Sequence, residues 1–139
     1  MMRKLMTLLI FVLGISISAQ PLTFKAEIGE FTESLEEIEW EPIELGQNIY
    51  VIWDTDDDWI QVVTKTTIKY YVVTQESESS DNGERLDIVF DCITASGVER
   101  ILIISWFEDD EMAFGGIHKY RWRIAFNDFA VGYYCNVVE

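Results

Sequence analysis

Short runs in which apolar and polar residues alternate one for one recur along most of this sequence, separated by clusters of turn-forming residues. Residues 86–92 are the clearest case, with Leu86, Ile88, Phe90 and Cys92 interleaved with Asp87, Val89 and Asp91. A period of two places successive side chains on opposite faces of a strand, so one face is apolar and has to be covered. The same pattern appears at Leu22, Phe24, Ala26 and Ile28, at Ile49, Val51 and Trp53, and across 59–64 and 67–74. Residues 117–126 put His118, Tyr120, Trp122, Ile124 and Phe126 on one face and Lys119, Arg121 and Arg123 on the other. A last strand is expected over 131–138.

Helical periodicity does not compete anywhere except in the short stretch TESLEEIE at 32–39, which reads as one helical turn or a solvated loop. The prolines are only two, Pro21 and Pro42, and both suit a strand start or a sheet edge. The run RILIISWF at 100–107 is almost continuously apolar and predicts a strand covered on both faces, or one facing a cavity. Polar segments at 75–85, with the turn signal Asn82-Gly83, and at 108–116 read as loops, and Ala95-Ser96-Gly97 as a tight hairpin connection. Eight or nine short strands joined by turns predict a single all-β domain. It would be an antiparallel β-barrel or sandwich of about eight strands, with a lipocalin-like barrel as one form.

The first twenty residues stand apart. Arg3 and Lys4 precede an apolar stretch over 5–17, and the small residues Ser18-Ala19 follow. This is the pattern of a secretory signal peptide, too short to span a bilayer as a helix. Cleavage after Ala19 predicts a mature domain over 20–139, exported to the periplasm or the extracellular space, soluble and monomeric, with no transmembrane segment. A chain of that size buries roughly 65% of its unfolded surface, enough for one core.

Charge excludes some partners and suggests others. The 139 residues carry 25 acids against 10 bases, so binding to a nucleic-acid backbone is not expected. The imbalance is local, since twelve acids and no base lie between Lys25 and Lys65. A negative field of this kind attracts a basic protein. Asp54, Asp56 and Asp58 alternate through a turn and offer oxygen ligands in the manner of a calcium loop. The calcium pattern breaks off there, because Trp59 takes the place of the required glycine. Turn preference alone also gathers such residues. No other cofactor is indicated.

Cys92 and Cys135 are the only cysteines, and an even count in an exported chain predicts a disulfide. Closing the 43-residue separation would add about 4 kcal/mol of stability in the loop-entropy model. With a single histidine and no CxxC spacing, zinc and redox chemistry lack their motifs. No nucleophile elbow, zinc-protease helix or phosphate loop is present, and no catalytic residue is assigned. Lys119, Arg121 and Arg123 form a basic stripe that would bind an anion or pair with carboxylates on neighbouring strands.

The chain resembles the small exported proteins of unknown function common in Bacteroidetes-type bacteria. The resemblance rests on the leader ending Ala19-Gln20, Trp40, the strand with Ile49, Val51 and Asp54, and the segment KYYV at 69–72. It extends to Asp91-Cys92 and the final strand with Tyr133, Tyr134 and Cys135. It implies a compact β-fold outside the cytoplasm and carries no catalytic residue. Two non-catalytic functions are therefore expected of this sequence. One is a small-ligand binder for an apolar or sugar ligand, with Trp106, His118, Tyr120 and Trp122 lining an aromatic cavity. The other is an interaction or inhibitor module whose acids face a basic partner.

Overall fold

The computed structural model describes residues 21–79, 85–113 and 116–138, and the side chains of 108–113 and 116–118 are not part of that description. Residues 1–20, where the leader is read, and the Asn82-Gly83 turn lie outside it. Among the described residues nine strands and no helix follow one another: β1 (Leu22–Thr32), β2 (Glu41–Ile43), β3 (Tyr50–Asp54), β4 (Trp59–Val63), β5 (Thr67–Ser79), β6 (Arg85–Thr94), β7 (Glu99–Ala113), β8 (Gly116–Ala125) and β9 (Ala130–Val138). From β3 onward each strand pairs antiparallel with the next, and β9 returns to pair with β1, which also pairs with β3. The result is a closed eight-stranded up-and-down barrel, lipocalin-like in architecture, with β2 added alongside β1. Closure makes use of the alternation, because a sheet with one apolar face buries it by curling on itself.

The apolar set points inward. Phe24, Val51, Trp53, Ile60, Phe90, Leu102, Ile104 and Trp122 are all but fully buried. Trp122 is the hub of the core, packing edge-on against Phe24 at 5.6 Å and Trp53 at 6.1 Å and stacking on Phe90 at 6.0 Å between ring centroids. Large rings at this spacing fill the middle of a small barrel with side chains.

Three segments differ from the sequence expectation. The apolar run on β7 is covered only in part on its outer face: Leu102 and Ile104 face the core, and on the other side Ser105 and Phe107 are buried whereas Ile101 is exposed. The polar stretches continue as strands, β5 running to Ser79 and β7 to Ala113. Residues 75–79 have little strand propensity, but pairing with β6, as in Gln75↔Phe90 and Ser77↔Ile88, imposes the extended form. The 33–40 segment, by contrast, takes the loop form of the two expected, in bends with Ser34 Oγ accepting the backbone N–H groups of Glu36 and Glu37 at 3.1 and 3.2 Å.

A bulge in β1 has the largest local effect. Pairing with β9 runs Ala26↔Cys135 and then Ile28↔Tyr134, so one residue of β1 is extra. A single inserted residue exchanges the two faces of a strand. Leu22, Phe24 and Ala26 face the core, but beyond the bulge Gly29 and Phe31 take the inner side. Ile28, Glu30 and Thr32 then face outward. Ile28 is thus not on the face of Leu22, as strict alternation had implied.

Candidate functional site

The charged residues of β8 lie on the outer wall. Tyr120, Trp122 and Ile124 face the core, so Arg121 and Arg123 point away from it. The bulge brings Glu30 to the same surface two strands away, across Gly132 of β9. Glu30 and Arg121 form an ion pair, with Arg121 Nε donating to Glu30 Oε1 at 2.5 Å. Glu30 is 1% exposed. The Arg121 guanidinium lies over the rings of Trp40 at 4.8 Å and Tyr134 at 5.3 Å. Gly132 makes room for the carboxylate, since a Cβ there would come within 2.7 Å of Glu30 Cγ. Burial pushes the Glu30 carboxyl above its usual range, and Arg121 and Arg123 pull it back only in part.

Arg123 is held in a second cluster. Its Nη2 donates to Ser105 Oγ at 3.1 Å and lies 3.8 Å from Asp87 Oδ1. Ser105 Oγ in turn donates to Asp87 Oδ1 at 2.5 Å, and Arg85 Nε pairs with Asp87 Oδ2 at 3.2 Å. Burial lowers the Arg123 pKa, and the neighbouring Arg121 adds to the effect. Of the expected basic stripe, Arg121 and Arg123 therefore pair with carboxylates across the sheet. Neither Glu30 nor Asp87 was singled out from the sequence. A signal for Glu30 existed: the apolar phase of β1 slips from even positions to Phe31, which betrays the bulge.

Apart from Glu27 and the buried Glu30, the acids between Lys25 and Lys65 fall into two groups. Glu33, Glu36, Glu37, Glu39, Glu41 and Glu44 are exposed along the segment leading into and out of β2, and Glu33, Glu37, Glu39 and Glu41 line a groove of about 210 Å³. Thr32, buried beneath, accepts the Glu39 N–H and donates to the Ser34 carbonyl, both at 3.1 Å, which fixes the fold of this hood. The second group is the β3–β4 turn. Asp54 is nearly buried, and its Oδ1 accepts the N–H groups of Asp56 and Asp57 at 3.0 and 2.9 Å. Asp56, Asp57 and Asp58 are exposed, and Asp58 closes the turn in the left-handed region at φ 54°. Among the described residues no group of three or more His, Cys, Asp or Glu side chains is arranged to hold a metal ion.

The two cysteines are not joined. Cys92 enters the core from β6 and Cys135 from β9, with β7 and β8 between them in the wall. Adjacent strands lie about 4.8 Å apart, so three strand spacings exceed the Cα separation of about 4.4–6.8 Å that a disulfide needs. The expected disulfide is thus replaced by two buried thiols. Burial pushes the Cys92 thiol up to about 12 and raises that of Cys135 as well.

Of the aromatic set expected to line a ligand cavity, Tyr120 and Trp122 belong to the core and Trp106 packs against it, partly exposed. The His118 side chain lies outside the described residues. A cleft of about 440 Å³ lies elsewhere, lined by Val73, Ile93, Ile101 and Phe126 together with Asp91, Glu99 and Arg100. Among the described residues no helix is long and apolar enough to cross a membrane. Comparison with protein-family models, with curated proteins and with solved structures finds no match to this chain.

Proposed function

We propose that this protein is an exported, non-catalytic interaction module that binds a basic partner protein through its acidic surface. One observation carries the reading: the arginines of the β8 stripe are engaged by the protein's own groups, whereas the acids of the hood and the β3–β4 turn are exposed. Arg121 and Arg123 pair with Glu30 and Asp87, while Arg100 lies over Phe126 and Lys69 over Trp59. Among the described residues no salt bridge involves Glu33, Glu36, Glu37, Glu39, Asp56, Asp57 or Asp58. Unneutralised acids of this density steer a cationic surface and speed its association. Tyr120 and Trp122, which would line a ligand cavity, are instead packed against Phe24 in the core, which favours this reading over a small-ligand binder.

The test is capture of proteins from secreted and envelope fractions of the source cell at low and high salt. The bait is the mature chain or its Glu33→Lys/Glu36→Lys/Glu37→Lys variant. A basic partner retained at low salt, lost at high salt and weakened by the variant is the expected result. Retention indifferent to salt and to the charge reversal would overturn the reading.

A further inference from the structure

Along β5 the barrel wall is incomplete among the described residues. β5 is thirteen residues long, but β4 covers it only from Thr67 to Tyr71, while β6 covers it from Tyr70 to Ser79. The last contact on the β4 side is the Val72 N–H, which donates to the Asp58 carbonyl at 2.9 Å. Beyond it, the edge of β5 over 73–79 has no neighbouring strand among the described residues. A bulge at Val73 marks the point where β5 leaves β4, and Val73 itself is 66% exposed. An unpaired edge presents a row of backbone donors and acceptors that can template another strand.

The side chains around this edge indicate what it accepts. Thr74, Glu76 and Glu78 point outward, because their β6 partners Asp91, Val89 and Asp87 are outer-face residues. All three are exposed. At the foot of the edge, below Val72, stands the β3–β4 turn with Asp56, Asp57 and Asp58. A strand laid along β5 would therefore run past Glu76 and Glu78 on its outer side and end near the turn carboxylates. A second copy of this chain would bring the same glutamates together, and like charges on adjacent strands repel. An extended segment with lysine or arginine at alternate positions meets the opposite condition, gaining backbone hydrogen bonds and cross-strand ion pairs together.

We infer that the basic partner is held by β-strand addition, an extended segment with alternating basic residues pairing with the free edge of β5 next to Glu76 and Glu78. The inference rests on the function proposed above and specifies where and how the partner is gripped. It is tested on the mature chain with a short peptide alternating lysine and threonine. Two analogues of the same charge are methylated on the odd or on the even backbone amides. Binding is measured at about 20 mM salt, where charge attraction is weakly screened. The parent peptide is expected to bind, one methylated analogue to bind about tenfold more weakly or worse, and amide exchange over 73–79 to slow while that over 33–44 does not. Glu76→Lys/Glu78→Lys should weaken the parent peptide more than Glu36→Lys/Glu37→Lys, an equal change of charge placed on the hood. If both methylated analogues bind as well as the parent, or protection falls on the hood, strand addition is overturned while a basic partner remains supported. If no peptide binds even at low salt, the basic-partner reading fails, and strand addition fails with it.

Discussion

Glu30 and Arg121, ninety-one residues apart in the chain, are joined on the outer wall of the barrel by a 2.5 Å hydrogen bond from Nε to the carboxylate. The bond exists because one extra residue in β1 turns Glu30 outward. Trp40 and Tyr134 flank the guanidinium, so the pair also attaches the acidic hood to the barrel.

Removing one half of that pair leaves a buried charge without a partner. Arg121→Met is expected to destabilise the protein by about 3–5 kcal/mol, and Glu30→Met/Arg121→Met by much less. Urea unfolding of the single and double variants measures the difference.

The Glu30 carboxyl also sets a pH dependence. Its folded pKa is raised above the ordinary 4.5, so the folded state holds a proton more readily than the unfolded chain. Stability from this group is complete below 4.5 and is lost as pH rises through the folded value. The stability of the wild type relative to Glu30→Gln should therefore fall as pH climbs out of the acid range, as unfolding titrations at a series of pH values would register. A relative stability that rises over that interval would contradict the assignment.

Gly132 is required by volume. Gly132→Ala places a methyl group against the Glu30 side chain, which is locked between β9 and the Arg121–Trp40 stack. The expected cost is about 1–3 kcal/mol, and it should shrink when the same substitution is made in the Glu30→Met/Arg121→Met background, where no buried charge is left unpartnered.

Cys92 and Cys135 should behave as inert thiols. With both thiols buried and their pKa values raised, alkylation in the native state should be slow and should complete only on unfolding. Reducing agent should leave the melting temperature unchanged, and intact mass should correspond to two free thiols.

Asp54 holds the β3–β4 turn through two backbone N–H groups, so Asp54→Ala should cost about 1–2 kcal/mol. Asp58→Gly at the left-handed position should be neutral or stabilising by up to about 1 kcal/mol. With one Asp54 oxygen already accepting two donors, calcium is expected to leave the melting temperature of the wild type where it is.

The candidate surface was legible in part. Alternation on β8 placed Tyr120 and Trp122 on one face and Arg121 and Arg123 on the other, as the barrel has them. Their partners were not legible, because Glu30 meets Arg121 only through the β1–β9 pairing and Asp87 meets Arg123 only through β7. The cysteines failed for the same reason, as their count said nothing of the two strands between them. The polar half of β5 read as a loop, since its extended form comes from β6 and not from its own residues.

The sequence by itself determined the all-β class and, along most strands, which side chain faces inward, because a period of two is a property of neighbouring residues. Only the tertiary structure decided that the sheet closes into a barrel, that a bulge reverses β1, and that β5 outruns β4 to leave an edge beside acidic side chains. Those features depend on register between distant segments, and register is set by the summed pairing of whole strands, which no local stretch of sequence contains.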